Sequence, residues 1–289
     1  MRAAVMMSLS SLLLAAPSAS PPGRATTRPV NRTAYAAVNG LRMYYEEHGS
    51  GPPLVLLHGG GSTAQTSFGA IIPALARDHR VIAPEQQAHG HSGDRDRPLS
   101  FEQMADDTAA LLEQLGVAQA DVLGFSNGGV VAMQLAIRHP RLVRRLVVCS
   151  SFYARAGMPP QFWQGFAHAR MTDMPPALRD ALVAAAPDPA AVPARFAKQV
   201  ALMEGFHDIP EAALRAIAAR TLVMVGDSDV MSVEHDARLA RLLPHGALAV
   251  LPGARHGAYL GAVDAGPPAG GPLPDIATAM IQAFLAGRL

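Results

Sequence analysis

Three short stretches hold residue types that could serve together as a nucleophile, a base and the acid that orients the base. Ser126 lies in Gly124-Phe125-Ser126-Asn127-Gly128-Gly129, two carboxylates lie in Gly226-Asp227-Ser228-Asp229, and His256 lies in Arg255-His256-Gly257. A serine hydroxyl has an alcohol-like pKa and attacks a carbonyl carbon only when a base takes its proton, so Ser126 needs a histidine within reach. That histidine needs a carboxylate to fix its tautomer and to stabilise the imidazolium that forms. Together the three would carry out acyl transfer. The competing reading is that Ser126 is a small residue in a tight turn, because Gly-x-Ser-x-Gly also arises by chance. The elements around it decide between the two.

Those elements are regular from Ala34 onward. "AYAAV", the pair Asn39-Gly40 and "LRMYYEEHG" predict a β-hairpin, since Asn-Gly tolerates the positive φ angles of a type I′ turn. Apolar runs begin at Leu54, Arg80, Asp121, Arg145, Thr221 and Ala247, and they are apolar throughout, as expected of strands covered on both faces. Helical stretches separate them. In "SFEQMADDTAALLEQLGV", Ser100 and Gln103 form a capping-box pattern, and Met104, Thr108, Leu111, Leu112 and Leu115 share one face. The alternation predicts an α/β fold: a mainly parallel sheet of about eight strands, covered by helices on both faces, with a helical cap insertion.

On this scaffold Ser126 falls between the buried run "DVLGF" and the helix "GGVVAMQLAIRH", the strand, sharp turn and helix of a nucleophile elbow. Gly124 and Gly128 leave room for such a turn, and the helix start aims the Asn127 N–H at a developing oxyanion. A second donor is expected from His58-Gly59-Gly60-Gly61, with the Gly60 N–H favoured and Gly61 the near alternative. His58 reads as a loop brace. Of the eleven histidines, His256 is the one that follows the last strand; His48 and His79 read as turn residues, His139 and His245 as helix-end residues, and His89, His91, His168, His207 and His235 as loop or helix residues. Asp229 is favoured over Asp227 as the acid because it lies past the turn, whereas Asp227 can brace the turn through its own backbone. Gly61, Phe125 and Trp163 are expected to contact substrate.

From about Ala34 to Leu289 these features resemble the α/β-hydrolase fold superfamily, more specifically a serine-nucleophile, esterase-like member with a helical cap. The carriers are "HGGG" at His58, "GFSNGG" around Ser126, "GDSD" at Gly226 and "RHG" at His256, in the order nucleophile, acid, base. The loop Gln86 to Ser92 resembles the family's D-x-R-G-x-G-x-S stretch, with Gln and Ala where Asp and Arg are common. The resemblance implies acyl transfer to water without a metal or an organic cofactor. A serine at the elbow argues against the carboxylate-nucleophile dehalogenases and epoxide hydrolases. Ester hydrolysis is the central expectation, with carbon–carbon bond hydrolysis, lactonase action and perhydrolysis as alternatives, and a non-catalytic ligand-binding member of the fold as a remote one.

Composition narrows the partners. A chain of 289 residues with 49% hydrophobic and 16% charged side chains can bury one sizeable core, and a net charge of +1 without a basic block removes the footprint of a nucleic-acid binder. A small-molecule ester is the expected partner, for a monomer or homodimer without a stable membrane anchor. Cys149, the lone cysteine, excludes an internal disulfide and a thiolate cluster, and no H-E-x-x-H motif occurs. Arg2, the apolar stretch after it and "PSAS" read as a signal peptide over residues 1–19, hence export to the periplasm or medium; without cleavage the expectation is cytoplasmic. Residues 20–33 read as a flexible linker, 34–151 and 221–289 as the core, and 152–220 as the cap. The cap interval carries Phe152, Tyr153, Met158, Phe162, Trp163, Phe166, Met171, Met174, Met203 and Phe206. Most are expected to pack the cap onto the sheet, and an apolar, Met-rich lid favours a small to medium apolar acyl or aromatic ester.

Overall fold

The computed structural model describes residues 30–263 and 271–289, so the expected leader and residues 20–29 of the expected linker lie outside the described residues. Eight strands form one sheet: β1 (Val30–Val38), β2 (Leu41–Gly49), β3 (Pro53–Leu57), β4 (Arg80–Pro84), β5 (Ala120–Phe125), β6 (Val143–Cys149), β7 (Arg220–Gly226) and β8 (Gly246–Leu251). Their order across the sheet is β1-β2-β4-β3-β5-β6-β7-β8, antiparallel for β1/β2 and β2/β4 and parallel from β4 to β8. The hairpin turns where expected, with φ of 47° at Asn39 and 75° at Gly40.

The helices are α1 (Ala64–Phe68), α2 (Ile72–Leu75), α3 (Phe101–Gln114), α4 (Asn127–Arg138), α5 (Pro160–Phe166), α6 (Pro176–Ala185), α7 (Val192–Glu204), α8 (Glu211–Arg215), α9 (Val233–Leu242) and α10 (Leu273–Leu285). The two-residue period of the strands builds two cores. Val55, Leu57, Val122, Leu146, Val148 and Val223 meet α3, α4 and α9 on one face. Leu54, Leu56, Leu123, Phe125, Val147 and Met224 meet α1, α2 and α10 on the other. Fully burying each aliphatic side chain contributes about 1.5–3 kcal/mol, so the central strands have to be apolar on both sides. None of the described helices is long and apolar enough to cross a membrane.

Two expectations change at the sheet edges. The strand begins at Val30, not after residue 33: Val30, Asn31, Arg32 and Thr33 pair with Gly49, His48, Glu47 and Glu46. The segment looked like linker because an edge strand is polar. Arg32 and Arg80 clasp the buried Glu47 carboxylate from either side, and burial, which alone would raise its pKa, is outweighed by those bonds so that the carboxyl lies below its usual range. His48 is accordingly a β2 residue and bonds Glu46 at 2.8 Å, instead of sitting in a turn. At the other edge β8 is not covered on both faces: Leu248 and Val250 are each 39% exposed.

Between β6 and β7 lie α5, α6, α7 and α8. Pro160 and Pro176 open α5 and α6 at positions where a missing N–H is harmless, so the Pro-Pro pairs start helices as well as ending the segments before them. Phe152, Trp163 and Phe206 form the anchor of this layer, with Trp163 stacked on Phe206 at 5.6 Å and both rings edge-on to Phe152.

Candidate active site

An open parallel sheet leaves its crevice at the carboxyl ends of the strands, and each sequence-predicted site stretch lies there: His58–Gly61 after β3, Ser126 after β5, Asp229 after β7 and His256 after β8. Ser126 caps α4 with φ 53° and ψ −122°, a conformation an L residue rarely adopts. Its N–H donates to the Cys149 carbonyl at 2.9 Å, and its carbonyl accepts from Gly129 N–H at 2.9 Å and Ser151 Oγ at 2.7 Å. A Cβ on Gly124 would lie 2.2 Å from the Gly128 carbonyl oxygen, and one on Gly128 would lie 1.9 Å from that of Leu57. Both glycines are therefore a steric condition of the turn.

The structure brings the three chemical residues together. His256 Nε2 lies 3.2 Å from Ser126 Oγ, and His256 Nδ1 lies 2.9 Å from Asp229 Oδ1. The Asp229 side chain is fully buried, where burial alone would raise its pKa. Bonds from His256, Ser150 and the backbone outweigh that effect and hold it below the ordinary carboxylate range. Its donors include Val230 N–H at 2.7 Å and Ser150 Oγ at 2.5 Å. Asp227 is elsewhere, accepting from Gly253 N–H at 2.7 Å and Ser228 Oγ at 3.1 Å, the turn brace expected of it.

The Gly loop touches the start of α4: a Cβ on Gly60 would lie 2.5 Å from Asn127 Nδ2. Gly61, at φ 63°, faces the cap, its Cβ direction meeting Met174 at 3.2 Å and Gln199 Oε1 at 3.7 Å. His58 ties this loop to the next, donating from Nδ1 to Gly59 O at 2.8 Å and accepting from Gln86 N–H at 3.0 Å. Burial pushes its pKa down to about 4, so it is neutral at pH 7.

Two residues expected to contact substrate are packed inside the protein. The Phe125 side chain is fully buried, its ring 4.9 Å from that of His256, so it supports the base from within the core. Trp163 is used on every side: Phe206 stacks on it, the Arg155 guanidinium lies 4.3 Å from its ring centroid, and Nε1 donates to Arg155 O at 2.8 Å. Trp163→Ala is therefore expected to destabilise the protein by about 3–5 kcal/mol, as large-to-small core changes do. Chemical denaturation checks this, and an unchanged midpoint with a raised KM would restore Trp163 as a substrate contact.

The loop after β4 also differs from the sequence comparison. The buried Glu85, one residue before the compared stretch, braces the loop by accepting from His91 N–H at 2.6 Å and Ala64 N–H at 3.3 Å. Ala88 sits at φ 62°, where the family motif has its first glycine.

Sequence reasoning missed four buried polar residues. Ser150, at φ 45°, and Tyr259 form a hydroxyl contact behind Asp229. Asp236 on α9 is fully buried with neither carboxylate oxygen bonded, and burial together with the Asp229 charge pushes its pKa up to about 8. Arg195 on α7 donates to Gly90 O at 3.2 Å while its buried Nε has no partner. The available signal was position: Ser150 directly follows an apolar strand at the sheet end where the site forms, and Arg195 interrupts the inward face of an amphipathic helix.

Comparison with known proteins gives the same architecture. The family model of the alpha/beta hydrolase fold matches residues 52–182. The 2-hydroxymuconate semialdehyde hydrolase of Pseudomonas sp. (strain CF600) is 39% identical over 115 residues, covering 39% of this chain and 41% of that protein. The pyrrolizixenacetamide deacetylase of Xenorhabdus hominickii is 35% identical over 115 residues, 40% of this chain and 43% of that one. The chain thus spans under half the length of these curated relatives. A thermophilic esterase from Thermogutta terrifontis superposes with a TM-score of 0.70 at 21% identity, covering 89% of this chain and 99% of the other, a likeness of fold. With the elbow, the strand order and these matches taken together, the chain belongs to the α/β-hydrolase fold superfamily.

Proposed function

We propose that the chain is a serine hydrolase that cleaves a carboxylic ester through an acyl-enzyme. The observation that carries this reading is the bonded series Ser126, His256, Asp229, with the serine on a strained elbow at the start of α4. As Ser126 Oγ bonds to the acyl carbon, His256 Nε2 takes its proton, and Asp229 stabilises the resulting imidazolium. The N–H groups of Gly60 and Asn127 receive the oxyanion. His256 returns the proton to the departing alkoxide. Water then attacks the acyl-enzyme, gives a proton to His256, and the acid leaves as Ser126 recovers it.

A second reading, carbon–carbon bond hydrolysis by the same residues, draws support from Arg195. Among the described residues no carboxylate pairs with this buried guanidinium, and a buried cation without a counter-charge is costly. A substrate carrying a carboxylate or enolate oxygen on its acyl side would supply one, a departure from the apolar acyl group expected from the composition of the cap. The relative from Pseudomonas, by its name, acts on a muconate semialdehyde.

A fluorophosphonate probe followed by matched substrates separates these readings. Labelling at Ser126 and hydrolysis of simple acyl esters are expected. An ester with a carboxylate-terminated acyl chain should be favoured, and Arg195→Met should reduce kcat/KM on it by about ten- to hundredfold, the worth of a charged hydrogen bond, with little change on a neutral ester. An unlabelled protein would overturn the hydrolase reading. Equal loss on both esters would remove the substrate role of Arg195.

A further inference from the structure

Behind Asp229 the structure holds more hydroxyl contacts than it has hydroxyl protons. Ser150 Oγ lies 2.5 Å from Asp229 Oδ2 and 2.8 Å from the Tyr259 hydroxyl, which lies 3.0 Å from the Met224 carbonyl oxygen. Two O–H groups cannot fill three contacts. The Met224 carbonyl already accepts Ser150 N–H at 2.8 Å, whereas an ionised carboxylate can only accept. The charged group therefore takes the Ser150 proton, and the Tyr259 proton has two acceptors, the Met224 carbonyl at 3.0 Å and Ser150 Oγ at 2.8 Å; the shorter contact, and a carbonyl already bonded by Ser150 N–H, favour Tyr259 donating to Ser150.

Ser150 is held for this task. It follows β6 at φ 45°, one of four non-glycine residues with positive φ among the described residues, another being Ser126. Strain of this kind persists where the surrounding structure imposes it, and it gathers at functional sites. Building on the function proposed above, we propose that Ser150 and Tyr259 form a directed hydroxyl relay that positions Asp229 and keeps it ionised, with Ser150 as the positioning residue.

Asp236 is the internal comparison. Two carboxyls are buried in the same region: Asp229, with donors from His256, Ser150, Val230 and Met231, lies below the usual range, and Asp236, with none, is pushed up to about 8. Hydrogen-bond donors and the His256 ring beside Asp229 separate the two, with the Asp229 charge adding to the rise at Asp236. The groups facing Asp229 are His256 from the loop after β8, Ser150 from the end of β6, Tyr259 from the turn that follows His256, and Asp236 from α9. Cys149, whose thiol burial pushes above its ordinary range, stays neutral beside Tyr259 and Asp236.

The test combines fluorophosphonate labelling rate against pH with NMR titration of the His256 ring, in wild type, Ser150→Ala, Ser150→Gly, Tyr259→Phe and the Ser150→Ala/Tyr259→Phe double variant. Ser150→Gly removes the hydroxyl and also relieves the backbone, so a loss shared with Ser150→Ala identifies the hydroxyl. Both are expected to label about ten- to hundredfold more slowly, as loss of a charge-assisted hydrogen bond implies. The His256 titration and the acid limb should move up by about half a pH unit, because a carboxylate relieved of one donor holds the imidazolium more strongly. Tyr259→Phe should lose less, and the double variant no more than Ser150→Ala, since Tyr259 acts through Ser150. Rates within twofold of wild type with an unmoved His256 titration would overturn the relay, as would a double-variant loss equal to the product of the single losses. Should the wild type resist labelling while the His256 shift appears, the relay stands and the ester hydrolase reading falls.

Discussion

Ser126→Ala is expected to lower kcat by about a million-fold, the scale of nucleophile loss in triad hydrolases, while leaving the thermal midpoint within a few degrees of wild type. The asymmetry follows from the bonding of this residue. The structure gives Ser126 Oγ a bond to His256 Nε2, and the hydroxyl does not cap α4. The elbow is held instead by the main chain, through Cys149, Gly129 and the Ser151 hydroxyl, none of which the substitution touches. Alanine meets the same cost as serine at φ 53°, since both carry a Cβ. Steady-state kinetics on the best ester of the panel, with circular dichroism on the same sample, checks both halves. A variant keeping a tenth of the activity would sink the acyl-enzyme mechanism, and an unfolded one would show that the hydroxyl is structural.

Most of the sheet was legible because central strands must be apolar on both faces, and each of the six runs beginning at Leu54, Arg80, Asp121, Arg145, Thr221 and Ala247 is a strand. Edges are harder to read. Val30–Thr33 looked like linker and β8 looked buried because an edge strand meets different demands on its two sides, which neither apolarity nor polarity signals alone. The grouping of Ser126, His256 and Asp229 was readable because strand order restricts each to one loop, and the geometry joins Asp229, not Asp227, to His256. Side-chain contacts were not. Phe125 adjoins Ser126 and Trp163 lies in the cap interval, yet one packs against His256 from the core and the other against Phe152 and Phe206, because an aromatic ring contributes most where it is fully covered. Ser150, Asp236 and Arg195 went unread for the opposite reason. What distinguishes them is the number of partners each finds once buried, a property of the folded chain.

The acid offers the other large effect, and its substitutions separate charge from geometry. Asp229→Ala is expected to reduce kcat by about ten-thousandfold, as loss of the orienting acid does in a triad. Asp229→Asn should be milder. Oδ1 accepts from His256 Nδ1 and from the N–H groups of Val230 and Met231, so the amide oxygen belongs there and its NH2 must take the Oδ2 position facing Ser150. A hydroxyl rotates: Ser150 can accept that NH2 and turn its own proton to Tyr259, whose proton then goes to the Met224 carbonyl at 3.0 Å. With the relay reversed, His256 keeps the Nδ1–H tautomer and the loss is that of the charge, about ten- to hundredfold. The sign of the pH effect follows. Without an anion beside it the imidazolium is less stable, so the His256 pKa falls and the acid limb of kcat/KM moves down in pH, opposite to its movement in Ser150→Ala. Asp227→Asn should leave kcat within twofold, because that carboxylate braces the loop through Gly253 and Ser228 away from the ring. Kinetics of the three variants across pH decides among these outcomes. Equal losses for Asp229→Asn and Asp229→Ala would mean that the hydroxyls cannot reverse and that the wrong tautomer forms, and a large loss in Asp227→Asn would move the acid to that residue.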